Sequence, residues 1–202
     1  MKYKIILTII LFIFSFLYLK NSVYIVREND NLMKTLKEKQ RLYNKEPVNA
    51  IITKNTMIPG INGKKINLDK SYNKMKSINS FHDSLLIFDI VKPNKSISNI
   101  YDKVIISGNP NINKISVLTK LDNGYCYTTS LDIDKNCIKE NKQTIHIEKI
   151  ASNYLMKIKE LVKNGSIFFL DSKEENNELS IIMKYLKNNN YQIVSISELI
   201  KE

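Results

Sequence analysis

Three polar residues of this chain could support hydrolytic chemistry. His146 lies in a β-prone run, while Asp122 and Asp171 each follow an apolar run that is typical of a strand. Parallel β/α folds place catalytic groups at the carboxyl ends of their strands, so these side chains could act as acid, base or metal ligand. A structural role is the alternative for each: a hydrogen-bonded imidazole for His146, and polar loop starters for the two carboxylates.

The composition excludes several other kinds of site. The chain has two His and two Cys, too few for the usual multi-ligand zinc ribbons and histidine-rich metal sites. It contains no G-x-G-x-x-G or P-loop sequence, so nothing indicates a nucleotide site. With 43% hydrophobic and 25% charged residues, the 202-residue chain is neither disordered nor a multi-span membrane protein.

One short segment combines aromatic residues with both cysteines. Tyr125 and Tyr127 could stack on a sugar ring, although packing across strands is the more common role for such a pair. Cys126 and Cys137 flank a turn-rich stretch, and in an oxidising compartment they could close a small disulfide loop. Two unpaired thiols are the alternative.

The first twenty residues have the pattern of a membrane anchor. Lys2 and Lys4 precede an apolar run from Ile5 to Leu19, and no small-residue cleavage site follows. We therefore predict an uncleaved, single-pass signal anchor in the cell membrane, with a cleaved signal peptide as the alternative. The basic start favours an internal N-terminus and an extracellular domain, although Lys20 on the other flank weakens this asymmetry.

Changes in periodicity along the sequence divide the chain into four parts. Residues 1–27 are predicted to form the anchor, 28–46 a helical stalk, 47–113 a β-rich lead-in, and 114–202 an α/β region. Strands and helices alternate in the last part, which predicts parallel β/α architecture.

Three predictions within the last part are specific to individual elements. The apolar run Ser166–Leu170 predicts a strand buried on both faces of a parallel sheet. Helical spacing of apolar residues predicts a helix over Glu148–Lys163. Ser197 is the predicted N-cap of a final helical turn.

The C-terminal part resembles one known family. Asn164–Asp171 (NGSIFFLD) and Glu178–Ile200 are similar to the end of polysaccharide deacetylases of the NodB-homology type, where a Gly-Ser opens a buried strand and a helix, a strand and a Ser-x-Glu-Leu helix start follow. Further segments resemble membrane-anchored members of that family: Ile58–Lys64, Asp69–Tyr72, and Tyr125–Tyr127 with Cys137. The resemblance implies a β/α barrel or sheet, which would be incomplete because too few residues follow position 114.

The motifs that carry the activity of this family are absent from the sequence. Family members hold a divalent metal with an Asp and two His four residues apart and use a second Asp as base, but this chain has neither Asp-Asp-Gly nor H-x-x-x-H. Asp171 stands at the place of the family's general-acid His, and an Asp with an ordinary pKa of about 3.9 is a poor proton donor at neutral pH.

The resemblance therefore implies a catalytically inactive protein, without a metal or other cofactor, that acts as a carbohydrate- or partner-binding module. The alternative is a divergent polysaccharide or peptidoglycan deacetylase that removes N- or O-acetyl groups. In that case Asp122, His146 and Asp171 would hold a divalent metal such as zinc.

The net charge of +11 could serve an anionic partner, although a solvated surface is the more common role of such a lysine excess. Lys2, Lys4 and Lys20 contribute three of these charges, which leaves +8 for residues 21–202. On the envelope side of the membrane, that charge favours an anionic wall or membrane surface. The predicted partners are the membrane, through the N-terminal helix, and cell-wall polysaccharide or another envelope protein. Nucleic acid is disfavoured by the anchor and by the lack of a basic-aromatic motif.

Overall fold

A computed structural model of the chain describes residues 2–171 and 177–202. The elements are, in chain order, α1 (Lys2–Glu28), α2 (Asn31–Tyr43), β1 (Ile51–Ile52), β2 (Thr56–Ile58), β3 (Gly63–Ile66), α3 (Leu68–Met75), a 3-10 turn (Asp83–Leu85), β4 (Phe88–Val91), β5 (Val104–Ile105), β6 (Lys114–Leu118), β7 (Cys126–Thr128), α4 (Lys135–Lys139), β8 (Thr144–His146), β9 (Glu148–Ile150), α5 (Tyr154–Leu161), β10 (Ile167–Leu170), α6 (Asn177–Asn188), β11 (Gln192–Ile193) and α7 (Ile196–Leu199). They divide between two compact units, one of Met1–Glu46 and Lys64–Val91, the other of Pro47–Gly63 and Lys92–Glu202. Residues 47–113, the predicted lead-in, contribute to both.

Helix α1 carries the predicted apolar run. Its segment Ile9–Glu28 has a mean hydropathy of 1.9, and none of that segment is buried within the protein. A helix of 27 residues is about 40 Å long at 1.5 Å per residue, which exceeds the hydrocarbon core of a bilayer. By length and composition, this helix could cross a membrane.

The rest of the first unit is a small packed body. Helices α2 and α3 contact one another, and β3 and β4 form a two-stranded sheet. The core consists of apolar side chains from the two helices: Leu32, Met33, Leu36, Tyr72 and Met75. Residues 28–46, predicted as a stalk, thus contribute the buried face of α2 to this core.

Asp30 holds the junction between α1 and α2. Its carboxylate accepts the Leu32 backbone N–H at 2.8 Å, as an N-cap does, and also the Tyr72 hydroxyl at 2.9 Å. The Lys76 ammonium lies 2.6 Å from the same carboxylate. This ammonium, together with the Leu32 and Tyr72 hydrogen bonds, lowers the pKa of Asp30 to about 2.

The second unit contains two sheets. In the five-stranded sheet the order is β1-β2-β5-β8-β7, and all its neighbours are parallel except β1 and β2. In the four-stranded sheet the order is β11-β6-β10-β9, and all neighbours are parallel. The chain passes from one sheet to the other at buried Ile147, between β8 and β9. The predicted α/β class with parallel strands is confirmed.

Strand β10 is buried on both faces, as the sequence predicts. Phe168 and Leu170 pack with residues of α5 and α6, while Ile167 belongs to the core formed with β2, β5 and β8. Residues on a strand alternate between its two faces, so a continuously apolar strand fills two cores at once.

Two predicted helix boundaries are wrong. The helix predicted over Glu148–Lys163 begins only at Tyr154, because Glu148–Ile150 pairs with β10 as strand β9. Asn153, with a φ of 52°, turns the chain between strand and helix. The last helix is capped by Ser195, whose hydroxyl accepts the Glu198 N–H at 3.3 Å, instead of by Ser197.

Gly165 allows two connections to meet. Its N–H donates to the Lys114 carbonyl and its own carbonyl accepts the Gly108 N–H, both at 2.8 Å. A Cβ at Gly165 would lie 2.4 Å from the Gly108 oxygen, and the φ of +84° is one that other residues rarely adopt. A glycine is therefore required where the turn before β10 crosses the turn before β6.

A disulfide joins Cys126, in β7, to Cys137, in α4. It fastens a short helix of five residues, too short to be stable by itself, to the edge strand of the five-stranded sheet.

Adjacent isoleucines on α6 test the packing of this helix on the four-stranded sheet. Ile182 is fully buried, while Ile181 is 52% exposed. We expect Ile182→Ala to lower the free energy of unfolding by ~2–5 kcal/mol because it leaves a cavity. Ile181→Ala removes the same atoms from the surface and should cost less than about 1 kcal/mol. Chemical denaturation of the full chain in detergent measures both, and equal losses would contradict this packing.

Removal of the disulfide should destabilise the second unit. Replacing both cysteines by serine releases the loop between positions 126 and 137, which should lower the free energy of unfolding by ~2–3 kcal/mol. Reduction of the wild-type chain should give the same loss. If iodoacetamide alkylates both cysteines of the unfolded chain without a reductant, the cross-link does not form.

Candidate functional site

The three residues predicted to carry chemistry stand at the carboxyl ends of strands. His146 is the last residue of β8, in the five-stranded sheet. Asp171 directly follows β10, and Asp122 follows β6 after a short loop; these two strands are parallel neighbours in the four-stranded sheet. The two carboxylates therefore follow strands that end at the same edge of one sheet, while His146 belongs to the other sheet.

The His146 imidazole is held by its own neighbours. Its Nδ1 lies 3.2 Å from the Ser130 carbonyl oxygen, and its Nε2 lies 3.7 Å from Glu148 Oε2. Both ring nitrogens thus face groups close to the end of β8.

The two carboxylates also have separate partners. Asp171 forms an ion pair with Lys149, at 2.8 Å, and its carbonyl accepts the Tyr154 hydroxyl. Asp122 turns back on its own loop, where its Oδ1 accepts the Gly124 N–H. Asp122 is thus held by its own loop, and Asp171 by residues of the neighbouring strand β9 and of α5.

This arrangement does not fit the metal centre of a deacetylase. Within residues 2–171 and 177–202, no three His, Cys, Asp or Glu side chains come close enough to hold one ion. A catalytic zinc needs three protein ligands that converge at about 2.0–2.2 Å. With Asp171 paired to Lys149 and Asp122 folded onto its loop, neither carboxylate is oriented as a third ligand beside His146.

A cavity of about 450 Å³ lies at the carboxyl ends of β2, β5 and β8. His146 and Glu148 are among its polar groups, but most of its wall is apolar: Ile58, Ile106, Leu131, Leu161, Ile167 and Phe168. The other polar groups of its wall are Ser107, Lys163, Asn164 and Ser166, and none of these is an ordinary zinc ligand to complete a site beside the His–Glu pair.

A cleft of about 790 Å³ lies at the opposite edge of the five-stranded sheet. We call it the amino-end cleft, because its walls include segments that lead into three adjacent strands: residues 96–99 and Tyr101 before β5, Gly124 and Tyr125 before β7, and Asn141 and Gln143 before β8. Asn62, Lys92, Pro93 and residues 200–202 complete it.

Tyr125, predicted as a sugar-stacking residue, lines the amino-end cleft. It meets Tyr127 edge to face, with ring centroids 6.5 Å apart, and both rings pack against the core of the five-stranded sheet. The two rings thus pack against each other and against the core at the edge of the sheet, and the Tyr125 ring also borders the cleft. Burial, and secondarily the charge of Asp122, raises the pKa of Tyr125, so its hydroxyl is neutral at physiological pH.

Glu202 shapes one wall of the cleft. Its carboxylate accepts the backbone N–H groups of Gly60, at 3.1 Å, and Ile97, at 2.9 Å, and also the Ser96 hydroxyl. Gln143 donates to the Ile97 carbonyl at 3.1 Å and ties the same loop to the start of β8. The loop before β5 is therefore anchored on two sides.

Apart from Tyr125, the residues of this cleft are not found by sequence reasoning, because they come from segments far apart in the chain. Asn99 and Asn141 both adopt positive φ values, of 65° and 53°. Asparagine tolerates this conformation and marks turns, so the turns themselves are visible in the sequence. Their convergence follows only from the strand order β5-β8-β7.

Comparison with solved structures identifies similar folds. The wild-type protein BA3943 from Bacillus anthracis, a CE4 family pseudoenzyme, has a TM-score of 0.59 and 16% sequence identity, over 86% of this chain and 96% of that chain. A BA3943 mutant with restored enzymatic activity has a TM-score of 0.59 and 15% identity, over 86% of this chain and 99% of that chain.

Sequence comparison gives a shorter match. The uncharacterized protein YlxY of Bacillus subtilis (strain 168) is 36% identical over 92 residues, which are 45% of this chain and 29% of that protein. The match thus spans less than a third of the relative's length. No protein-family model matches the chain. The resemblance to polysaccharide deacetylases is therefore confirmed at the level of the fold, which is that of the CE4 pseudoenzymes.

Proposed function

We propose that this protein is a membrane-anchored, catalytically inactive member of the deacetylase fold that binds carbohydrate of the cell envelope. The observation that carries the proposal is the separation of the three candidate groups: His146 is engaged by Ser130 and Glu148, and Asp171 by Lys149. Deacetylation through a metal-activated water requires these groups to share one ion.

The similar structures support inactivity. BA3943 is described as a pseudoenzyme, so this fold is stable without catalysis in at least that protein. The BA3943 mutant with restored enzymatic activity indicates that a protein with this fold can regain activity through mutation. In this chain the connection between β6 and β7 consists of residues 119–125 only, which leaves little backbone to carry ligands after β6.

The amino-end cleft supports carbohydrate binding. Protein sites for sugars combine an aromatic face with side chains that donate and accept hydrogen bonds. Tyr101 and Tyr125 supply rings, and Asn99, Asn141 and Gln143 supply amides around the same space. The Tyr125 ring is partly exposed at the start of β7, where it can contact a sugar ring.

The N-terminal helix supports anchoring in the cell membrane. We place the second unit on the extracellular side because Lys2 and Lys4 precede the apolar run and because the Cys126–Cys137 disulfide needs an oxidising compartment. The partners are then the membrane, through α1, and cell-wall polysaccharide, with another envelope protein as the second choice. No nucleic acid is involved.

Chitotetraose, an acetylated neutral oligosaccharide, tests both halves of this proposal. We expect the full chain, in a non-glycosidic detergent, to bind chitotetraose in calorimetry and to release no acetate above the protein-free rate. Tyr125→Ala should weaken binding roughly 2- to 10-fold because it removes the ring that stacks on the sugar.

Tyr125→Phe is the matched control. It keeps the ring and loses only the hydroxyl, so it should retain most of the affinity. Unfolding curves for both variants check that the sheet edge is intact. Acetate release by the wild-type chain would overturn inactivity, and binding that is unchanged by Tyr125→Ala would remove the site from the amino-end cleft.

A further inference from the structure

We infer that the amino-end cleft takes an anionic saccharide, one that carries carboxylate or phosphate groups along its chain. This inference rests on the proposed function, since it names the class of carbohydrate for the same cleft. It follows from the balance of charges that line the cleft: Lys92, Lys201 and Glu202.

The negatively charged residue of the cleft, Glu202, is hydrogen-bonded to groups of the protein itself. The Glu202 carboxylate accepts three hydrogen bonds, from Gly60 N–H, Ile97 N–H and the Ser96 hydroxyl. A carboxylate has about four acceptor sites, so three of those of Glu202 are occupied by groups of the protein.

The two positive charges are not used in this way. Lys92 and Lys201 are exposed at the cleft, and neither ammonium forms an ion pair with any residue in the part of the chain that the structure describes. By contrast, Lys76, Lys114 and Lys149 lie 2.6–2.8 Å from a carboxylate. Both cations of the cleft therefore remain available to an anionic ligand.

The uncharged groups of the cleft suit the rest of a sugar chain. Asn99 and Asn141 are exposed at the tips of their turns, and no hydrogen bond of their side-chain amides is found within the described residues. Each amide can both donate to and accept from a sugar hydroxyl. The neutral Tyr125 hydroxyl beside them adds a further donor.

The position of the cleft separates it from the catalytic edge of the fold. Parallel β/α enzymes react at the carboxyl ends of their strands, whereas this cleft lies where β5, β7 and β8 begin. Binding here does not depend on the residues that a deacetylase would need, so it can persist in an inactive protein.

Tetragalacturonate and its fully methyl-esterified form test this inference, because the two share one sugar backbone and differ in charge. We expect the full chain, in a non-glycosidic detergent at low salt, to bind the charged form roughly 3- to 10-fold more tightly. The difference should shrink between 20 and 200 mM salt, which shortens the Debye length to less than about 10 Å. A glycerol-phosphate oligomer, measured in parallel, shows whether phosphate serves as well as carboxylate.

Lys92→Gln/Lys201→Gln should abolish the preference for the charged form, with the larger loss of affinity for that form. Lys157→Gln/Lys184→Gln, at exposed positions on α5 and α6, changes the net charge equally and should have no effect. If the ester binds as tightly as the charged form, or both double variants behave alike, the inference is overturned while carbohydrate binding stands. If neither form binds while chitotetraose does, the inference is overturned and the proposed function stands; if chitotetraose does not bind either, the proposed function fails as well.

Discussion

Strand β10 is hydrogen-bonded on both sides, to β6 and to β9, and the second unit depends on this position. Strands flank both edges of β10 and apolar cores cover both of its faces, so the strand is shielded from water. Each side chain from Ser166 to Leu170 must therefore be apolar or have its polar atoms hydrogen-bonded by nearby groups. Phe168 packs against the helices α5 and α6, and Ile167 packs against the five-stranded sheet. The position of β10 also fixes where its neighbours β6 and β9 lie, and the polar groups near the ends of these strands are positioned with them.

The connection from β6 to β7 explains why Asp122 does not join a cluster of metal-binding side chains in the described part of the chain. Parallel neighbours need a crossover of a dozen or more residues, usually with a helix, but β6 and β7 belong to different sheets and residues 119–125 suffice. The loop closes on itself through Asp122 and Gly124. The hydrogen bond from the Gly124 N–H to the Asp122 carboxylate stabilises this loop. The same bond occupies the carboxylate, which is therefore not turned toward His146 and Asp171 as a metal ligand.

Much of this fold could be predicted from the sequence. The continuously apolar run Ser166–Leu170 predicts a strand that is buried on both faces, and the structure confirms it in β10. The helix prediction is wrong for Glu148–Ile150 because three residues are too few to show a strand period. The sequence also does not show that these residues pair with β10. Tyr125 was recognisable by its type, whereas Lys92 and Lys201 were not, because exposed lysines are common and only the strand order brings these two to one cleft.

We propose that the deacetylase-like fold of this chain persists without a metal centre. The most direct test is the zinc content of the full chain in detergent, after saturation with Zn²⁺ and exhaustive dialysis, measured by mass spectrometry. The separate engagement of His146, Asp122 and Asp171 predicts a content well below one equivalent, with no change in His146→Ala. One tightly bound equivalent that is lost in His146→Ala would contradict the account.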